Sequence, residues 1–365
     1  MRLVILTIAW ALVIPMSHAI SLDSLLNLPA MGLPVVNYSP ESTWEFGAAA
    51  QGYFKLPNQE RTSILQIDGT YSLKNQWYIN IQGNLYFGGK TPWLLNFRTG
   101  YSDRPATYYG IGNKGNTEIG MLRKGSTYIQ QRGYLNVQAP ISVNQNWSIG
   151  PMADMLITQY DTIGYKWITQ PTSPQLLSQI GLGIVAQYDT RDITFYPNKG
   201  IFFKTSLTQH ITFSPYSYIT AFSADLRQYI PLPKKIVIAW QFKTYCLLSA
   251  EKIPYPILPR LGGQDGLRGI HSDMFRDDIM LSLQAELRIP IWSILRATVF
   301  AGIGDVYDFH DWHWATPKIG YGLGLRATIN KAKVNLRFDI ARSNVDPRWN
   351  NINAYSFYLT ATEAF

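Results

Sequence analysis

The chain has 365 residues, only 15% of them charged and 14% aromatic, with 23 Tyr and 11 Trp. Lys and Arg outnumber Asp and Glu by 32 to 24, a net charge of +8, but the basic residues are dispersed, and no basic cluster interleaved with aromatics marks a nucleic-acid surface. Mean hydropathy is −0.07; few charges, many aromatics and no mature apolar run of roughly 18 residues suit a barrel of transmembrane strands, with a secreted soluble β-protein as the alternative.

The chain opens on a targeting segment. Arg2 supplies a positive start, Leu3–Met16 is apolar, and Ser17-His18-Ala19 is a small-x-small cleavage site. Residues 1–19 therefore read as a signal peptide for export. Residues 20–32 form a short N-terminal segment, and 33–365 read as one β-barrel domain.

From Thr43 onward, period-2 alternation dominates and no long amphipathic helix emerges. Predicted strands run over 33–38 (short), 43–54, 62–73, 76–87, 93–101, 126–139, 146–159 and 180–190. They continue over 200–211, 217–230, 236–248, 279–291, 294–307, 317–328, 333–342 and 356–365. About sixteen strands is an even count, which returns both ends to the periplasm. In 279–291, Ile279, Leu281, Leu283, Ala285, Leu287, Ile289 and Ile291 take one face, while Ser282, Gln284, Glu286 and Arg288 take the other. In 334–340, Val334, Leu336, Phe338 and Ile340 oppose Asn335, Arg337 and Asp339. The fold class is all-β: a transmembrane antiparallel barrel.

Connections are short near 140–145, 231–235, 292–293 and 329–332, and long near 102–125, 160–179, 249–278 and 343–355. Short periplasmic turns and long outer loops are the expected asymmetry. The longest gap holds Pro259–Ile270, P-R-L-G-G-Q-D-G-L-R-G-I, with four glycines around Arg268. Glycine at this density suits a tight fold-back that delivers one charged side chain to a set place. The stretch lacks the G-K-S/T ending of a phosphate loop.

Several segments, in order, resemble the bacterial surface antigen superfamily of BamA/TamA-type outer-membrane barrels. They are Tyr108–Asn113 (Y-Y-G-I-G-N), Asp189–Asp192 with Pro197 and Gly200, Leu267-Arg268-Gly269-Ile270, Glu286–Pro290, Val299–Tyr307, Gly320–Arg326 and Arg337–Ala341. The chain resembles a barrel-only member, with no room between Ile20 and Tyr38 for a POTRA module. The resemblance implies a long loop, 251–278, folded into the lumen. It also implies that Arg268, followed by Gly269, pairs there with an acidic residue of the wall. Gly302 stands where the family's aspartate usually is, so Glu286 and Asp339, on lumen faces by alternation, are the expected partners, with Asp305 third. The terminal Phe365 resembles a carboxy-terminal assembly signal, from which Glu363 departs.

By alternation Arg132, Lys204, Lys243, Arg288, Arg326 and Arg337 point inward, either to favour anions or to pair with wall carboxylates. Asp189, Arg191 and Asp192 read as a turn closed by Pro197 and Gly200. His310-Asp311-Trp312-His313 reads as an exposed loop rather than a metal site. Cys246 reads as a packed thiol on an apolar face. With no nucleophile–base pair, the chain is expected to be no enzyme, with no cofactor and no metal. The resemblance implies insertion, secretion or lipid handling, through a seam weakened by the short first strand. A solute channel gated by loop 251–278 and a surface-display barrel are the alternatives. Expected partners are outer-membrane lipids, client outer-membrane or secreted proteins, and the barrel-assembly machinery; nucleic acid is not among them. The expected location is the outer membrane.

Overall fold

In the computed structural model the described residues are 30–39, 43–57, 59, 62–88, 92–113, 127–160, 176–193, 196–213, 216–263, 266–272, 274–312, 317–328, 335–345 and 355–360. The signal peptide expected over 1–19, most of the 20–32 segment, Glu363 and Phe365 lie outside them.

The alternation becomes strands β1 (Ala30–Ser39), β2 (Thr43–Phe54), β3 (Ser63–Ser72), β4 (Trp77–Phe87), β5 (Trp93–Thr107), β6 (Thr127–Gln138), β7 (Ile141–Ser142), β8 (Trp147–Tyr160), β9 (Leu176–Asp189) and β10 (Gly200–Phe213). They continue as β11 (Tyr216–Pro231), β12 (Val237–Leu248), β13 (Arg260–Leu261), β14 (Phe275–Arg276), β15 (Ile279–Pro290), β16 (Leu295–Tyr307), β17 (Lys318–Thr328), β18 (Asn335–Ser343) and β19 (Ser356–Thr360). Three of these, β7, β13 and β14, have two residues each. Each longer strand pairs antiparallel with the next one along the chain, from β1–β2 to β18–β19. The first and last strands also approach each other, with Cα atoms within 8 Å, so the sheet curls back on itself.

Burial is inverted relative to a water-soluble protein. On β15 the polar Ser282, Gln284, Glu286 and Arg288 are buried, whereas Leu283 is exposed. On β17 Arg326 is buried while Leu323 is 62% exposed. Apolar side chains on the exposed face run through the sheet, among them Leu65, Ile79, Leu135, Ile157, Leu182, Leu207, Phe242, Val299 and Phe338. An apolar outer and polar inner face is the arrangement hydrocarbon selects. Aromatic residues mark both ends of that face. Trp77–Tyr101 (ring centroids 5.2 Å apart) and Trp44 lie at one end, and Phe87–Trp93 (4.4 Å) and Trp147–Tyr188 (5.0 Å) at the other. Among the described residues no helix is long and apolar enough to cross a membrane.

The clearest differences from expectation are these. The first strand is not short: Ala30–Ser39 forms a ten-residue ladder with β2, starting three residues before the predicted 33, with Pro34 inside it. Pro is tolerated at a sheet edge. Strand β5 runs on to Thr107, past the predicted end at 101, because Asp103–Thr107 continue the ladder with β6. Arg104 read as a loop residue, yet it donates to Glu45 at 2.9 Å and lies over the Tyr78 ring at 4.3 Å. Cys246 is half-buried rather than packed away.

Candidate functional site

The connection between β12 and β15 is a structured insertion. Its short β13–β14 ladder pairs Arg260 with Arg276 and Leu261 with Phe275. Arg276 donates to the carbonyls of Tyr255 and Pro256 at 3.3 and 3.4 Å and covers the Tyr255 ring. Leu261, Leu267, Ile270, Met274 and Phe275 pack with Met280 and Val306 of the wall. Ile253, Tyr255 and Leu258 pack with Tyr108, Tyr128 and Ile219. The Y-Y-G-I-G-N stretch is the seat of this insertion: Tyr108 meets Tyr255 edge-on at 4.7 Å, and the Gly112 N–H donates to the Arg276 carbonyl at 2.8 Å.

Arg268 lies at the tip. Its Nη1 donates to Asp339 Oδ2 at 2.9 Å and its Nη2 to Glu286 Oε2 at 3.1 Å. Its guanidinium carbon lies 3.6 Å from the centre of the Phe300 ring. The partner is therefore both expected carboxylates together. Glu286 is seven residues along β15 from Ile279, about 23 Å at a strand's rise, so the Arg268 side chain reaches past the middle of that strand. Asp305, the third-ranked candidate, instead accepts from Lys318 Nζ at 2.6 Å.

Arg268 is one of four arginines in this cluster. Arg288 Nε donates to Glu286 Oε1 at 2.6 Å. Arg326 Nη1 donates to Asp339 Oδ1 at 2.5 Å, and its Nη2 lies 3.6 Å from Glu286 Oε2. Arg337 Nε is 3.4 Å from Asp339 Oδ2. The side chains of all four arginines and both carboxylates are fully buried. Of the expected inward cations, then, Arg288, Arg326 and Arg337 pair with wall carboxylates. Arg132, Lys204 and Lys243 sit half-buried elsewhere on the inner face.

Backbone geometry brings the tip this close. Gly269 has φ +94°, and a Cβ there would collide with the Arg342 carbonyl. A Cβ on Gly320 would overlap the carbonyl oxygen of Arg268 itself. At Gly302 a Cβ would lie 2.6 Å from Leu267 Cδ1, so the site of the absent aspartate is taken by a loop side chain. The Gly269 N–H donates to Tyr358 Oη on β19 at 3.1 Å. Phe300 and Tyr358 were missed in the sequence; the available signal was an aromatic on the polar side of an alternating strand. Tyr196, 1% exposed in the turn before β10, was also missed. His310 and Asp311 lie in an exposed connection, as expected, and His313 is outside the described residues. Among the described residues, Asp277, Asp278 and Asp308 bring carboxylate oxygens within 4.8 Å of one another. Burial and the neighbouring Asp308 raise the Asp278 carboxyl, opposed by the N–H of Phe309.

An antiparallel sheet with an apolar outer and a polar inner face is the pattern of outer-membrane β-barrel proteins. Within that class, the chain belongs to the Omp85 superfamily: the Omp85 superfamily domain matches residues 65–365. Among solved structures it is similar to BamA from Haemophilus ducreyi lacking POTRA domains 1–3, with TM-score 0.59 and 15% identity over 91% of this chain and 69% of that one. It is also similar to CdiB from Acinetobacter baumannii (TM-score 0.53, 10% identity, 91% and 57%) and CdiB from Escherichia coli (0.53, 12%, 91% and 62%). The chain thus spans under two thirds of both CdiB chains. These likenesses extend across the superfamily and do not single out the BamA/TamA branch. A search of curated proteins returned no match.

Proposed function

We propose that the sheet closes into a sixteen-stranded outer-membrane barrel that assists protein insertion, secretion or lipid handling, its clients being outer-membrane or secreted proteins. Superfamily membership supports the class of activity. The observation that carries the reading is where the loop is fastened. Arg268 and Gly269 bind β15, β18 and β19 and lie against Gly320 of β17. These are strands at or near the one side of the sheet where first meets last. Tyr358 of β19, the strand that approaches β1, accepts from the Gly269 N–H, so the loop holds the strand at that meeting. An open sheet edge is the one that admits another strand. Export would use residues 1–19, and assembly by the barrel-assembly machinery would use the end at Phe365.

Depletion in cells tests this. The expected result is loss of other barrels from the outer membrane or of particular secreted proteins. An unchanged outer-membrane and secreted proteome would sink it. A solute channel is the second reading, favoured by the half-buried inner-face cations Lys204 and Lys243.

A further inference from the structure

The turn between β9 and β10 is also built inward. Arg191 holds Asp189 with two hydrogen bonds, at 2.9 and 2.8 Å, and Asp192 accepts from the Asn198 N–H at 2.9 Å. These contacts shape the turn so that Tyr196 is buried against the wall. The Arg288 guanidinium lies 4.6 Å from the Tyr196 ring centre and the Arg296 guanidinium 4.5 Å. Arg288 Nη1 also donates to the Pro197 carbonyl at 3.0 Å.

Arg288 therefore faces two ways. Through Nη1 and its π contact it holds the turn; through Nε it holds Glu286 Oε1. The other oxygen of Glu286 holds Arg268. Register puts the two inserted segments at opposite ends of the sheet. Gly200 aligns with Tyr229, Ala239 and then Glu286, near the starts of β10 and β12, whereas the loop leaves from the end of β12 at Leu248. One carboxylate thus joins a segment from each rim.

We infer that Tyr196 is a positioning residue for the Arg268 site: the turn at 190–199 orients Arg288, Arg288 orients Glu286, and Glu286 sets how firmly the loop tip is held. A partner or client that displaces Tyr196 at one rim would loosen the loop from the other. The relay rests on contacts within the sheet and is independent of what the barrel transports. A ring between two guanidiniums contributes through its π face, so phenylalanine should substitute and an aliphatic side chain should not.

The test is hydrogen exchange on the full chain in lipid vesicles, read at the amides of Leu267–Ile270. Tyr196→Ala should speed exchange there by about tenfold, and Tyr196→Phe by less than about twofold. Tyr196→Leu, which keeps the site filled if the alanine variant fails to fold, should resemble Tyr196→Ala. In an Arg268→Ala background, Tyr196→Ala should add nothing, because the link it acts through is already cut. Unchanged exchange in both Tyr196→Ala and Tyr196→Leu would overturn the relay. So would a full additive effect in the Arg268→Ala background, which is what a merely structural role produces.

Discussion

Arg268 and Asp339 are 71 residues apart in the chain and meet at 2.9 Å with both side chains fully buried. Glu286 completes the fork, but neither carboxylate depends on Arg268 alone. Four guanidiniums serve two carboxylates, so removing Arg268 leaves three to two, whereas removing a carboxylate leaves four to one. The expected order of damage follows. Arg268→Ala should cost about 1.5–3 kcal/mol, the worth of charge-assisted hydrogen bonds. Asp339→Asn and Glu286→Gln should each cost about 3–5 kcal/mol, because they strand buried like charges. Urea unfolding in detergent measures all three, and a reversed order would refute the charge count.

Arg268→Lys keeps the charge and loses the fork. A single ammonium cannot bridge Asp339 and Glu286 while lying flat on Phe300. The expected outcome is a loop nearly as open to protease as in Arg268→Ala. Wild-type protease resistance would show that charge alone holds the tip.

Gly302 tests whether the site would accept the aspartate that the family resemblance leads one to expect there. Leu267 occupies the space a side chain would need, and the Leu283 carbonyl lies 2.9 Å from the Cβ position. Gly302→Asp should therefore destabilise by overpacking, by about 1–3 kcal/mol. A neutral or stabilising result would mean that Arg268 accepts the new carboxylate and Leu267 yields.

Much of this was legible in the sequence, and the reasons are local. Alternation reports each residue's face, so it placed Glu286, Asp339, Arg288, Arg326 and Arg337 on the inner side. It cannot report which inner residues meet across strands, so it offered Glu286 and Asp339 as alternatives when one guanidinium binds both. Strand β1 was underestimated because Ala30-Met31-Gly32 carry no apolar–polar alternation, and the role of Tyr108 was invisible because its partner Tyr255 is 147 residues away. Tyr196 sat in a turn already explained by Asp192, Pro197 and Gly200, and nothing in the order of residues says that a turn folds inward.

The turn at 190–199 should respond to acid. Burial raises the Asp192 carboxyl, but the Asn198 N–H and side chain, then the Lys199 and Ile193 N–H groups, outweigh it, so its pKa falls below that of an ordinary aspartate. A depressed carboxylate contributes stability that is present above its unfolded pKa and lost as pH falls through the folded one. Amide exchange at Asn198 and Lys199, corrected for intrinsic rates, should thus stay constant from neutral pH down to about 4 and rise below it. Asp192→Asn should abolish that dependence. A rise already complete at pH 5 would assign it to another group.

Loop 251–278 is expected to set how open the lumen is. Two buried clusters tie it to the wall, one through Ile253, Tyr255 and Leu258 and one through Leu261, Leu267, Ile270 and Phe275. The Arg268 side chain reaches Glu286, about 23 Å along β15 from Ile279. Replacing 251–278 with a short glycine-serine linker should leave the strands paired, because the β12–β15 ladder runs from Cys246–Ile279 to Val237–Arg288 without it. It should also expose the inner-face cations to solvent. The expected outcome in planar bilayers is a severalfold rise in single-channel conductance, biased toward anions by Lys204 and Lys243. Arg268→Ala should give brief openings of intermediate size, since it releases the tip and leaves the apolar clusters in place. Conductance unchanged by the deletion would mean that something other than this loop closes the lumen.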